Sequence, residues 1–579
     1  MHDTITAGTH DPTGDAADVA TMTADPHRRG GVRVDVVGVS RHAGDRQILH
    51  DLSFSVAQGE LVALVGGSGA GKTTLVETMA GLSPPSEGTV LHDGTPPRRD
   101  GTTSGIGYVP QDDIIHRELP LRLTLRYAAG LRLPAGTSGA AAERVVDETL
   151  GELDLADRSD VRVGALSGGQ RKRASIAVEM LTRPRLFFLD EPTSGLDPST
   201  AAEVLGVLRR LAGRGVTIVL TTHSPTDIEA CDRVVFLARE GHLAFAGTPA
   251  AARGYFGVDD LSRVYRRLAD EASPTIWAER FAAHHRPERV PPGLVRPATE
   301  RRRVGALRQW ALLTRRSAAV MASNRLTLAV LLGSPALVIT MMAMLFRPGG
   351  FDQHGPGSLG PVQTVFWISF AGFFFGLTYG LLQVVGEMAV LRRERLAGLS
   401  VAAYVLSKVT VLTPVLAAVV AVLLGVLRAL DRLPPLGWGA YASLLVTLLI
   451  ESLAALSLGL LASAAVADAA QATLALPMLC FPQVLFAGAV VPVVDMAVPG
   501  RVMSVGMTNR WAFESLGRAL HLDALGGDMP SVAAYGNAFG GPAASGWAVL
   551  AGSALVLTIA TMWVLHRRCL PGRSTAGRR

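Results

Sequence analysis

The run Gly66-Gly67-Ser68-Gly69-Ala70-Gly71-Lys72-Thr73 constrains this chain more than any other feature. It follows the apolar stretch Leu61-Val62-Ala63-Leu64-Val65 and opens a helix-like segment that continues to Ala80. Strand, glycine-rich turn and helix in that order present backbone N–H groups and a helix N-terminus to phosphate oxygens. Gly66, Ser68, Gly69, Gly71, Lys72, Thr73 and Thr74 are therefore the candidate phosphate-contacting residues. Lys72 suits the β- and γ-phosphates of ATP, and the Thr73 hydroxyl suits Mg2+. The expected fold of this half is an α/β P-loop nucleotide hydrolase.

A second apolar run, Leu186-Phe187-Phe188-Leu189, ends at Asp190-Glu191. Asp190 at the strand end reaches the magnesium shell, while Glu191 is placed to polarise an attacking water as general base. Leu166-Ser167-Gly168-Gly169-Gln170 lies between the loop and this acidic pair, and Ser194-Gly195-Leu196-Asp197 follows it. This series resembles the signature, Walker B and D-loop of the ATP-binding-cassette (ABC) superfamily. The resemblance implies that Gln111, in Tyr108-Val109-Pro110-Gln111, senses magnesium or water and touches a membrane domain. It implies that His223, after Thr217-Ile218-Val219-Leu220-Thr221-Thr222, contacts the γ-phosphate. The catalytic set is then Lys72, Gln111, Glu191 and His223, and the metal set Thr73, Gln111 and Asp190. Ser167, Gly168, Gly169 and Gln170 of one copy would cover nucleotide held by Lys72 of another, with Asp197 also at the nucleotide site. One departure is the absence of Tyr from Ser40-Arg41-His42-Ala43-Gly44, where an adenine-stacking aromatic usually falls. Either His42 stacks or the base is held loosely.

The 579 residues are too many for one core, and 49% are hydrophobic although 55 Lys+Arg and 49 Asp+Glu are present. Apolar and charged material must be segregated, as in a soluble domain fused to membrane spans. Six apolar stretches, near 327–346, 362–385, 403–427, 440–465, 470–493 and 546–565, are expected to cross as helices of about 20 residues. Arg301-Arg302-Arg303, Arg392-Arg393, Arg395 and Arg567-Arg568 flank them. That distribution suits cytoplasmic loops of a multi-pass plasma-membrane protein with its ATPase half inside the cell, and no nucleic-acid partner is expected. Three cysteines offer no disulfide framework. The expected organisation is a disordered tail (1–31), ATP-binding domain (32–256), linker (257–303), all-α membrane domain of six helices (304–570) and cytoplasmic tail (571–579).

ATPase first and spans second resembles a G-subfamily half-transporter with a type-2 exporter membrane domain. Tyr108-Val109-Pro110-Gln111-Asp112-Asp113 and Arg393-Glu394-Arg395 before Gly398-Leu399-Ser400 add to the likeness. Abundant Ala, Gly and Arg with little Lys point to a bacterial source. The resemblance implies ATP-driven export of a hydrophobic or amphipathic substrate, such as a lipid or drug, by two copies or by this chain with a related half-transporter. A polysaccharide or peptide exporter, and an ATP-driven signalling or mechanical machine, are the alternatives.

Several membrane-half features stay open on sequence alone. Gly372, Gly376 and Gly380 share a helix face for pairing of subunits or for packing within one. Phe373, Phe374 and Phe375 line a cavity, pack or face lipid. Glu451, mid-span, pairs with Arg428 or Arg510, meets substrate, moves protons or makes a structural hydrogen bond. Glu387 and Arg392-Arg393-Glu394-Arg395 form the expected contact surface for the ATPase half. Trp310, Arg308, Arg315 and Arg316 suit a membrane-surface helix or a plain solvated amphipathic one, and 494–544 reads as a Gly-rich outer loop.

Overall fold

The computed structural model describes residues 30–97, 105–270, 275–284, 304–349, 351, 360–527 and 530–569. Most of the N-terminal tail, all of 571–579 and linker residues 271–274 and 285–303 lie outside the described residues.

Nine strands build the first half: β1 Val34–Ala43, β2 Arg46–Val56, β3 Leu61–Gly66, β4 Glu87–His92, β5 Ile106–Val109, β6 Leu186–Leu189, β7 Thr217–Thr222, β8 Arg233–Leu237 and β9 Leu243–Gly247. One sheet runs β5-β6-β7-β3-β8-β9, and a second runs β2-β1-β4. In the large sheet every pairing is parallel except that of β9 with β8. β3, β6 and β7 are buried at every position, as strands covered on both faces must be. Because β5, β6, β7 and β3 are parallel, the loops leaving their C-terminal ends share one edge of the sheet. Around the sheets lie α1 Lys72–Met79, α2 Leu121–Arg132, α3 Gly168–Met180 and α4 Pro198–Gly213. The apolar core of this half also takes in Trp277 and Phe281 of the helix Thr275–His284, which meet the rings of Phe245, Tyr255 and Phe256.

The second half is helical: α5 Ala306–Ser323, α6 Arg325–Leu345, α7 Gly360–Leu381, α8 Met388–Leu396, α9 Val401–Ala429, α10 Trp438–Ala465, α11 Ala469–Leu485, α12 Thr508–Ala519 and α13 Ala544–Arg568. Among the described residues, five helices are long and apolar enough to cross a membrane. Five of the six expected spans fall on these helices, and at 470–493 the chain forms a shorter apolar helix. There α11 ends at Leu485 after 17 residues, a rise of about 26 Å against a hydrocarbon core of about 30 Å. Pro477 and Pro482 inside α11 each remove a backbone donor, and Gly488, at φ 88°, turns the chain away. The expected outer loop is likewise more ordered than its composition suggests, since it contains Val498–Val505 and α12. α12 packs against α7, α10 and α13, burying Asn509, Phe513 and Leu516.

The glycine stripe of α7 is filled by α10. A Cβ at Gly376 would stand 2.1 Å from the Ser452 carbonyl oxygen, and one at Gly380 2.5 Å from that of Leu456. Ser452 Oγ donates to the Gly372 carbonyl at 2.9 Å. The stripe therefore serves packing within the subunit. Phe373 and Phe375 are buried in the bundle, so neither faces lipid.

Replacing Gly376 by Ala should cost about 1–3 kcal/mol, because backbone must move to admit the methyl group. Gly425→Ala on α9, where nothing lies within 4 Å, should be neutral or slightly stabilising. Thermal unfolding of the two purified variants tests this, and the reverse ranking would contradict the packing.

Candidate nucleotide site and its link to the membrane helices

Gly71, the residue before α1, has φ 85°, and a Cβ there would lie 2.8 Å from Leu49 Cδ2. The turn therefore requires glycine at this position. Ser68 and Gly69 stand exposed on the loop's rim, and Thr74 follows on α1. Lys72 Nζ donates to the carbonyls of Gly66 (2.8 Å) and Gly67 (3.2 Å), so its charge stays over the loop. Burial lowers its pKa from the ordinary lysine value, partly opposed by Glu191 and Asp190. Thr73 Oγ1 donates to Asp190 Oδ2 at 2.9 Å, and Thr221 Oγ1 donates to Asp190 Oδ1 at 2.5 Å. The Asp190 carboxylate is thus held between α1 and β7.

Glu191 adopts φ 45°, a left-handed conformation uncommon for a non-glycine residue, and its N–H donates to Thr221 Oγ1 at 2.8 Å. That turn directs its carboxylate along the sheet edge. Gln111 Nε2, beyond β5, donates to Glu191 Oε2 at 3.3 Å, and His223 Nδ1, beyond β7, stands 3.7 Å from the same oxygen. Three neighbouring strands therefore bring Gln111, Glu191 and His223 together.

Ser167 and Gln170 are placed elsewhere. Ser167 caps α3, accepting from the Gln170 N–H at 3.3 Å, while Gln170 Oε1 accepts from the Ser167 N–H at 3.1 Å. This reciprocal cap fixes the start of the helix. Gly168 and Gly169 lie against Leu196 and Thr200. Asp197 caps α4 through the Thr200 N–H (3.0 Å) and the Ser199 hydroxyl (2.6 Å), hydrogen bonds that hold its carboxyl below the usual carboxylate range. Among the described residues, no hydrogen bond or ion pair joins Ser167, Gly168, Gly169 or Gln170 to the Lys72 loop.

In the sequence, the expected contact cluster of Arg392-Arg393-Glu394-Arg395 came without partners, and Lys172 without a role. Lys172, on α3, donates to the Gln111 carbonyl at 2.7 Å and so ties that loop to the helix of Ser167. Arg393, on α8, enters the ATPase half. Its Nε donates to Glu179 Oε1 at 2.8 Å, Nη1 to the Ile114 carbonyl at 2.7 Å and Nη2 to the Ser175 carbonyl at 2.8 Å. Arg132 Nη1 holds the other Glu179 oxygen at 2.7 Å. Burial alone would raise the Glu179 pKa, but Arg132 and Arg393 bring it below the ordinary value. Besides the arginine cluster, the sequence signal for this joint was a carboxylate inside Ile176-Ala177-Val178-Glu179-Met180.

Among the described residues, Arg393 alone of the expected cluster bonds to the ATPase half. Glu394 pairs with Arg316 of α5, Glu387 with Lys408 of α9 at 2.7 Å, and Arg395 donates to the Leu399 carbonyl at 2.7 Å. α5 adds a second tie, with Arg308 donating to the Ala135 carbonyl and Leu312 lying against Gly130 of α2. Trp310 Nε1 donates to Thr410 Oγ1 at 3.1 Å. Glu451 pairs with neither arginine considered for it. Arg428 lies 3.7 Å from Asp431, Arg510 pairs with Glu514 at 2.8 Å, and the Glu451 carboxyl instead meets Ser369 Oγ at 3.3 Å.

Residues 49–194 match the model of the ABC transporter family, and residues 308–517 that of the ABC-2 type transporter. The chain is 34% identical to the ABC transporter ATP-binding/permease protein Rv1747 of Mycobacterium tuberculosis, over 83% of this chain and 56% of that protein. It is 37% identical to the Nod factor export ATP-binding protein I of Rhizobium meliloti, over 41% of this chain and 70% of that protein. With ABC transporter G family member 26 of Arabidopsis thaliana it shares 38% identity, over 37% of this chain and 32% of the other. The chain thus spans about half the length of its mycobacterial relative and a third of the plant one. A P-loop ATPase joined to a helical membrane domain is the class that fold and site define. Within that class, the chain belongs to the ABC transporter family, with an ATP-binding domain preceding an ABC-2 type membrane domain. It is a multi-pass membrane protein whose ATP-binding domain lies on the cytoplasmic side.

Arg393→Gln should lower stability by about 1–3 kcal/mol, because the buried Ile114 and Ser175 carbonyls lose their donor while Glu179 keeps Arg132. The double variant Glu179→Gln/Arg393→Gln should lose more in thermal unfolding, because it strips buried Arg132 of its carboxylate. Since the folded-state pKa of Glu179 lies below its unfolded one, the stabilisation it carries is full at neutral pH and is lost as pH falls from about 4.3 through the folded value.

Proposed function

We propose that this protein is an ATP-hydrolysing exporter that works as a pair of half-transporters. It moves a hydrophobic or amphipathic molecule, such as a lipid or drug, out of the cytoplasm or inner leaflet. The convergence of Gln111 and His223 on one oxygen of Glu191, beside the Thr73–Asp190 pair, carries this reading. The names of its relatives, which include Nod factor export and a broad substrate specificity transporter of Bos taurus, favour export.

Lys72 and the N–H groups of its loop bind the β- and γ-phosphates of ATP. The Thr73 hydroxyl and Asp190 carboxylate, 2.9 Å apart, are hard oxygen donors that fit Mg2+, and the Gln111 amide oxygen adds a third. When bound, the ion neutralises phosphate charge. Glu191 accepts a proton from the attacking water, Gln111 orients that carboxylate, and His223 faces the γ-phosphate. Ser167, Gly168, Gly169 and Gln170 are not joined to Lys72 within one copy, which supports their covering the nucleotide of a second copy. Closure of that pair displaces α3, and Glu179 and Ser175 on α3 pull Arg393 and α8 with it.

Glu191→Gln should bind ATP with near wild-type affinity and lose turnover by at least about a hundredfold, whereas Lys72→Ala should lose nucleotide affinity. Nucleotide binding and phosphate release measured on both variants check the two roles. ATP-dependent accumulation in inside-out vesicles tests export, and ATP hydrolysis without accumulation of a panel of labelled lipids and amphipathic dyes would contradict it.

A further inference from the structure

Glu451 sits halfway along α10 with 0% of its surface exposed. Among the described residues it belongs to no ion pair. The charged groups of α12, Arg510 and Arg518, are both bonded to Glu514. On the other helices around it, Lys408 of α9 pairs with Glu387, Arg428 lies at the opposite end of α9 beside Asp431, and His566 is near the end of α13. α7 contributes Ser369 and Gly372, and α11 contributes Gln483 and the titratable thiol of Cys480. A carboxylate in such a place has no counter-charge, which apolar surroundings penalise heavily.

Counting hydrogens decides its state. Asn509 Nδ2 donates to the Gln483 carbonyl at 3.0 Å, and a carbonyl can only accept. The amide is thereby oriented, and its Oδ1 faces Ser369 Oγ at 2.6 Å. Ser369 has one hydroxyl hydrogen, and this shortest contact, to an oxygen that only accepts, claims it. Its remaining neighbours are the Asn509 carbonyl at 3.3 Å and the Glu451 oxygens at 3.3 and 3.5 Å. An ionised Glu451 would therefore set acceptor against acceptor. A protonated carboxyl donates to Ser369 instead.

We infer that Glu451 is a proton-binding site inside the membrane domain, occupied while α7, α10 and α12 are closed around it. Were the joint to open to water, the carboxyl O–H bond would break and the proton pass to water, so rising pH would favour such an opening. This inference does not depend on what is exported.

Infrared difference spectroscopy of purified wild-type protein against Glu451→Gln tests it at about pH 8, where solvated carboxyls are ionised. The expected result is a protonated-carboxyl C=O band in wild type that the variant lacks. A carboxylate band in its place would overturn the inference. Ser369→Ala gives an independent reading should the Gln variant fail to fold: loss of the acceptor should shift that C=O band to higher frequency, and an unshifted band would equally overturn the inference.

Discussion

The two halves of this protein are held by a buried arginine. Arg393 leaves the membrane domain and finds its partners, the Glu179 carboxylate and two backbone carbonyls, inside the ATPase domain. With Arg132 on the other carboxylate oxygen, every charge in the joint has a partner, and withdrawing Glu179 would strand two cations where water cannot replace it. A buried ionic joint of this kind adds little net stability over an apolar one, but it is specific in geometry. It allows α3 and α8 to move as one body.

The same helix α3 carries Ser167 and Gln170 at its start, Lys172 bonded to the Gln111 carbonyl one turn later, and Glu179 near its end. The edge of the parallel sheet supplies the remainder, because β5, β6, β7 and β3 release Gln111, Glu191, His223 and the Lys72 loop side by side. In the proposed cycle, whatever ATP does to Gln111 or to Ser167 is therefore felt at Arg393 through a few short, rigid contacts. The left-handed backbone of Glu191 is the kind of local cost that persists where a side chain must be aimed.

What the sequence made legible was local chemistry. The phosphate loop, the acidic strand end and the starts of the apolar helices are each written in adjacent residues, and the structure places them accordingly. Arg393 and Glu179 are 214 residues apart, and no local pattern pairs them. The glycines of α7 were visible as a stripe, but their partner, Ser452 to Gly459 of α10, was not. Hydropathy overestimated α11 because apolar residues continue past the point where proline and glycine end the helix. The polar contacts around Glu451 draw on four helices, so sequence alone offered only a choice of partners, and both arginines among them proved to be engaged elsewhere.

In the proposed cycle, nucleotide state reaches the membrane helices through Arg393. Spin labels at Leu474, an exposed residue of α11, in both copies of an assembled pair would report it by pulsed electron resonance, with and without ATP in the Glu191→Gln background. The distance between labels should change when ATP binds and should stop changing when Arg393→Ala is added, although ATP still binds. An unaltered ATP-driven shift in the Arg393→Ala protein would contradict the account.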